Sequence, residues 1–185
     1  MVEDGQYMQA FLKQNNFVVE GKWENHEDRN SLAFFPNTRS RKVHCIYVWL
    51  ANKENQILPL YIGKARNGVV QRMNEHKGGF REDKNGSVSG RRKRKVLEEL
   101  VKNKWSIEVY ARECKWADDM NYNFWGLFEL NVNDNDSFQF PPVSLYSIEE
   151  ELLIRFFEQN YSNTLLLNGI NDENMNKLIE KIKTL

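Results

Sequence analysis

Two runs of β-branched and aromatic residues, parted by five turn-like positions, constrain this chain more than any other feature. Val43 to Leu50 reads VHCIYVWL and Gln56 to Ile62 reads QILPLYI, with Ala51 to Asn55 between them. Residues of this kind suit a pleated, half-buried surface, so the pair predicts a β-hairpin. A turn at Lys53-Glu54-Asn55 sets Tyr47 directly opposite Tyr61. Opposite residues share a face, so the two phenols meet. Pro59 has no N–H for a ladder, which predicts an edge strand or a bulge there. Gly63 is expected to end the strand, and Gly68 to open a helix through Lys77 that Gly78-Gly79 stop. Val69, Val70 and Met73 form its apolar side, and Arg72 and His76, four apart, share another face.

Around this hairpin the periodicity alternates between helix and strand. Residues 6–14 place Tyr7, Met8, Phe11 and Leu12 on one helical stripe. Phe17 to Val19 predicts a brief strand, and Gly21 to Lys42 a long ordered loop pinned by Phe34 and Phe35. Phe80 to Gly90 reads as a flexible loop, Arg91 to Asn103 as a helix with Val96, Leu97, Leu100 and Val101 inward. Trp105 to Glu113 and Phe124 to Val132 read as strands. A helix capped at Ser147 carries Leu153, Ile154 and Phe157 with Glu150 on the same side. Asn171 or Asp172 caps a last helix with Met175, Leu178, Ile179 and Ile182 as its buried stripe. At 185 residues the chain suits one domain with a real core. Its organisation reads as an extension over 1–42, a core over 43–170 with a basic insertion at 80–95, and a terminal helix over 171–185.

No apolar run approaches a membrane span, and the acidic start MVEDGQY is unlike a signal peptide. Cys45 and Cys114 lack metal-binding spacing and are expected to be reduced thiols of a cytoplasmic protein. The formal net charge is zero, yet residues 64–104 hold 13 basic and 5 acidic side chains of the chain's 26 of each. A segment of about +8 against a remainder of about −8 is how a basic footprint for phosphates sits on a neutral protein. Its densest part, Arg91-Arg92-Lys93-Arg94-Lys95, lies at the wrong end of a helix dipole for cations, a mismatch that an external anion offsets. With Arg81 and Lys84, these residues are the expected DNA contacts.

Phosphodiester hydrolysis needs a deprotonated water, a cation at the developing charge, a metal or its equivalent, and a proton for the leaving oxygen. Arg72 matches phosphate bidentately, and His76 shuttles a proton near neutrality. Tyrosine is a poor base unless a neighbour such as a second tyrosine or Lys64 stabilises phenolate. Glu150 can hold one hard divalent ion with waters completing the shell. Taken singly, each of these residues also fits a packing or solvated-surface role.

Together, Cys45-Ile46-Tyr47, Tyr61-Ile62-Gly63 and Arg72-xxx-His76, continuing into Glu150-xx-Leu153-Ile154 and Asn163, resemble the GIY-YIG nuclease superfamily. The tail SNTLLLNGIND and the Arg-xxx-His pairing are similar to the small type II restriction endonucleases of that superfamily. The resemblance spans about residues 43–170. It implies an α+β fold, a small mixed or antiparallel central sheet flanked by helices, here with helical extensions at both ends. It also implies a single-metal mechanism with Mg²⁺ or Mn²⁺ on Glu150. Tyr47, with His76, helps deprotonate water; Tyr61 orients the phosphate; Arg72 stabilises the transition state; Asn163 ties the Glu-bearing helix to the sheet. The pattern departs in Cys45 for the first glycine, in a long gap between the tyrosine motifs, and in the absence of a proline before Asn163. Glu151 has the usual distance to Asn163, whereas Glu150 keeps Leu153-Ile154 in register. The expected function is cleavage of double-stranded DNA at a specific sequence by a dimer or tetramer. A nuclease acting on branched or damaged DNA and a non-catalytic binding module are the alternatives.

Overall fold

A computed structural model describes residues 2–26, 31–37, 42–54, 56–114, 145–161 and 166–185. The order of elements is α1 (Val2–Gln14), β1 (Val18–His26), β2 (Ser31–Pro36), β3 (Cys45–Lys53), β4 (Gln56–Ala65), α2 (Val69–Gly79), α3 (Val88–Lys102), β5 (Ser106–Glu113), α4 (Tyr146–Asn160) and α5 (Asp172–Thr184). The strands form one sheet in the order β2-β1-β5-β3-β4. Every pairing is antiparallel, so the α+β expectation holds with no parallel pair among the described strands.

Strand β3 is buried on both faces, which is why its sequence is a continuous apolar run rather than an alternating one. Its odd-numbered residues, Cys45, Tyr47, Trp49 and Ala51, face a core shared with α2, α3 and α5. Its even-numbered residues, Ile46, Val48 and Leu50, face a second core with Met8 and Leu12 of α1 and Phe157 of α4. Each large apolar side chain so enclosed contributes roughly 1.5–3 kcal/mol. Tyr7 is exposed and lies off the buried stripe of α1. The α5 stripe is as expected, with Asn171 as the cap accepting from the Asn174 amide.

The loop expected over 21–42 is instead largely a hairpin. Strand β1 continues to His26 and pairs with β2 as well as β5. Its outward Lys22 and Glu24 disguise a strand whose inward Trp23 packs on Phe34, Trp49 and Phe80, with ring centroids 5.3–5.5 Å apart. Residues 80–87 also differ from the flexible loop expected. Asp83 accepts from the Asn85 amide through its side chain and from the Gly86 amide through its carbonyl, and Ser87 caps α3 by accepting from Gly90. Helix α4 starts before Ser147 and has no side-chain cap. The Ser147 hydroxyl accepts from Lys64 instead. The expected strand at Phe124 to Val132 and the expected tie at Asn163 lie outside the described residues.

The hairpin register differs from expectation twice, and the differences cancel. The turn is one residue tighter, pairing Lys53 with Gln56, which by itself throws Tyr47 and Tyr61 onto opposite faces. A bulge then inserts Leu60 after Pro59, so that Trp49 pairs with Tyr61 and Tyr47 with Gly63. Tyr47 and Tyr61 thus share a face as diagonal neighbours, ring centroids 6.0 Å apart. Strand β4 also runs past Gly63 to Ala65.

Strand β4 is an edge strand, and its open side is covered by the segment before α5. Leu167 N–H donates to Leu60 O at 2.6 Å. Asn168 closes a two-way clasp on Ile62, accepting from its amide at 3.0 Å and donating to its carbonyl at 2.7 Å. Asn168→Ala leaves both backbone groups to find new partners. It is expected to cost about 2 kcal/mol, read as a lower urea midpoint at unchanged slope.

Candidate active site

The odd-numbered face of β3, the bulged end of β4 and helix α2 together build a buried aromatic pocket. The Tyr47 hydroxyl lies 2.7 Å from His76 Nε2, a bond out of reach of solvent. Trp49 is the floor, its ring 4.9 Å from both the Tyr61 and His76 rings. Gly63 opposes Tyr47, and the phenol lies across the space that a side chain there would fill.

Burial pushes the Tyr47 phenol well above its ordinary pKa, and Tyr61 is raised by the same cause. His76 is pushed down to about 3 by burial first and then by the nearby charges of Lys93 and Arg72. A neutral phenol and a neutral imidazole therefore share a proton across 2.7 Å, so the pair can relay one without holding charge at rest.

This displacement has a consequence for stability. The folded His76 pKa lies below the unfolded value of 6.5, so the fold keeps it neutral and the unfolded chain takes up the proton first. The stabilisation is complete above that unfolded value and is lost as pH falls toward the folded one. By about pH 4.5 the loss is on the order of 2–3 kcal/mol. His76→Gln should flatten this acid limb in urea midpoints measured across pH.

Arg72 borders the pocket and donates to Glu75 at 2.6 Å. Burial, the largest influence, opposes its charge, but Glu75 and the Tyr47 phenol outweigh it and the pKa is raised. Its Nε is buried with no hydrogen-bond partner, an orphaned donor in a site otherwise lined by rings.

Glu150 reaches the same region from the other side of the sheet. Lys64, on the even-numbered face, donates to it at 2.9 Å and leaves both phenols alone. The Glu150 charge is nonetheless felt at Tyr61. Between the two halves, past the end of β4, lies a cleft of about 230 Å³ lined by Lys64, Arg66, Gly68, Arg72 and Tyr146. The neighbouring glutamates point elsewhere: Glu149 pairs with Arg112 at 3.0 Å, and the exposed Glu151 pairs with Arg155 at 2.9 Å.

The basic run on α3 is divided in its allegiance. Arg92 grips Asp172 with two bonds of 2.7 and 2.8 Å, tying α3 to α5. Arg94 pairs with Glu98 and Glu82, and Arg81 with Asp83. Lys84, Arg91 and Lys95 make no salt bridge among the described residues. Lys93 turns inward, its ammonium 4.0 Å from the Tyr61 ring centroid. Two further residues of the site region were missed from sequence, Asn168 and the inward role of Lys93. Asn168 was hidden by lying in a short segment without periodicity. Lys93 could have been found from the α3 stripe, since it precedes Val96 and Leu97 by three and four positions.

No family model matches the chain, and no curated protein matches it in sequence. Among solved structures it is similar to that of a mutant of bacteriophage T4 EndoII. The TM-score is 0.55 at 18% identity, over 82% of this chain and 95% of that one. At that identity the likeness is one of fold.

Proposed function

We propose that this chain is a DNA endonuclease of the GIY-YIG type that hydrolyses phosphodiester bonds with one divalent ion per site. The observation that carries this reading is the buried Tyr47–His76 relay beside the orphaned Arg72 donor, with Lys64, the partner of Glu150, lining one cleft with Arg72. The fold shared with the T4 EndoII structure supports it.

No group of three metal-ligating side chains exists among the described residues. A Mg²⁺ cage made by protein alone is therefore not the expectation, but Mg²⁺ commonly uses one or two carboxylates, waters and substrate phosphate. Glu150 fits that mode, because its carboxylate already accepts a cation, Lys64, beside the cleft. Mg²⁺ or Mn²⁺ held at Glu150 supplies Lewis-acid stabilisation of the leaving oxygen.

The chain's own groups do the rest. Arg72 Nε meets the phosphate and neutralises charge on its non-bridging oxygens. Tyr61 orients the phosphate against the pocket wall. Tyr47 takes the proton of the attacking water as it passes its own to His76. Arriving phosphate offsets the cationic charge that depresses His76, so the imidazole gains basicity when substrate is bound.

In its finer form the proposal is a type II restriction enzyme acting on double-stranded DNA as a dimer or tetramer. Lys84, Arg91 and Lys95, unpaired among the described residues, are then the backbone contacts. Mixed plasmid DNA incubated with Mg²⁺ should yield discrete bands. Nicking without a fixed sequence points to a structure-selective or repair nuclease. Binding without cleavage across Mg²⁺, Mn²⁺ and pH sinks the enzymatic reading.

A further inference from the structure

Lys93 is one of the two buried polar or charged residues among the described ones, the other being His76. Its position follows from how α3 begins. Ser87 caps the helix, and Gly90 abuts α2 so closely that a Cβ there collides with the Gly79 carbonyl. This contact presses the first turn of α3 onto the end of α2. Lys93 follows three residues after Gly90, on the same face, and is thereby directed at Tyr61.

An ammonium in such a place is costly. Lys93 is 8% exposed and has no carboxylate within salt-bridge distance among the described residues. Its partner is the Tyr61 ring at 4.0 Å, and a cation–π contact offsets only part of the lost hydration. The charged groups facing it aggravate the problem. From α2, Arg72 opposes its charge; His76 is neutral, as are the Tyr47 and Tyr61 phenols from β3 and β4. The pocket therefore gathers two cations around neutral groups, Arg72 with Glu75 as counter-ion and Lys93 with none among the described residues. Such an arrangement suits a ligand that brings one or two negative charges. A phosphodiester carries one, and its pentacovalent transition state carries two.

We propose that Lys93 is a catalytic residue, its ammonium binding a non-bridging oxygen of the scissile phosphate and stabilising the charge that develops in the transition state. The proposal rests on the nuclease reading and extends it with a second cation from a separate helix. Arg72 is already engaged by Glu75, whereas Lys93 has only the Tyr61 ring, so the two cations differ in how much of their charge is free for phosphate. Burial first, and Arg72 second, hold the Lys93 pKa down to about 8. An incoming anion reverses the Arg72 effect and keeps the ammonium charged.

Lys93→Met keeps an aliphatic stem over Tyr61 and deletes the charge. Single-turnover cleavage of plasmid DNA in Mg²⁺ should slow at least about 100-fold. Duplex affinity in Ca²⁺ should change less than about threefold, since one phosphate contact among many is lost. Lys93→Arg should recover part of the rate. Thermal melting separates this from misfolding, and a folded Lys93→Met that cuts at the parental rate overturns the proposal. A second measurement does not depend on cleavage: the Lys93 side-chain resonance of lysine-labelled protein, titrated against pH with and without inorganic phosphate. Phosphate should raise its midpoint from about 8 to about 9 or above, and an unmoved midpoint overturns the proposal. Wild-type protein that cuts no DNA, yet shows this shift, sinks the nuclease reading and leaves the anion site standing.

Discussion

Glu150→Ala is expected to stop DNA cleavage, by about a thousandfold or more in single-turnover rate, while Glu151→Ala should cut at close to the parental rate. Three consecutive glutamates at the start of α4 are set about 100° apart by helix geometry and so face three ways. Glu149 is drawn to Arg112 of β5, Glu150 to Lys64 beside the cleft, and Glu151 to Arg155 on the outer surface. Of the three, only Glu150 pairs with a residue that lines the cleft shared with Arg72, namely Lys64, so a divalent ion held by Glu150 loses that carboxylate when Glu150 is removed. Folding should be little changed, because the Lys64–Glu150 pair is partly exposed and such pairs contribute little. Duplex binding in Ca²⁺, measured by gel shift, should survive. A dead Glu151→Ala beside an active Glu150→Ala moves the metal to the other face of α4. Two active variants remove the carboxylate from the mechanism.

Gly63→Ala should be nearly as damaging, for a steric reason. A Cβ at Gly63 collides with the Tyr47 hydroxyl oxygen and ring carbon Cζ and comes within 2.8 Å of Tyr61 Cε1. The Tyr47 ring cannot retreat far, being fully buried beside Trp49 and hydrogen-bonded to His76. One of two things yields: the 2.7 Å relay opens, or β4 shifts away from β3. Overpacking of this kind costs roughly 1–3 kcal/mol in stability. The larger loss is in rate, about 100-fold, because a misplacement of about 1 Å in a catalytic group has that effect. Urea unfolding and single-turnover cleavage test the two parts separately. A variant of parental stability and rate means that the Tyr47 position is not critical.

Much of the fold was legible because its signals are local. The β3–β4 hairpin, the α3 and α5 stripes and strand β5 are written in apolar periods that survive whatever packs against them. The grouping of Tyr47, Tyr61, Arg72 and His76 was legible too, through motif order and helical spacing. Strands β1 and β2 were not, because their outward polar residues make Gly21 to Lys42 read as loop. Their inward Trp23 and Leu32 acquire meaning only against Trp49 and α3. The hairpin illustrates the limit more sharply. Tyr47 and Tyr61 were expected to share a face through a register that the chain does not adopt. They share it because a tighter turn and a bulge at Leu60 offset one another.

By itself, then, the sequence determined the residue types and their spacing: two tyrosines on adjoining strands, an Arg–His pair one turn apart, a glutamate on a later helix. Local propensity and periodicity suffice for that. The tertiary structure alone decided which neighbours those residues meet. It set Glu150 and Lys64 on one face of the sheet and the tyrosines on the other, so that the candidate site straddles the end of β4. It also turned Lys93 inward from a run of five basic residues that read alike, through the close contact of Gly90 with Gly79. The physical reason is that burial, charge and hydrogen-bond partnership belong to contacts between distant segments, and no period along the chain encodes them.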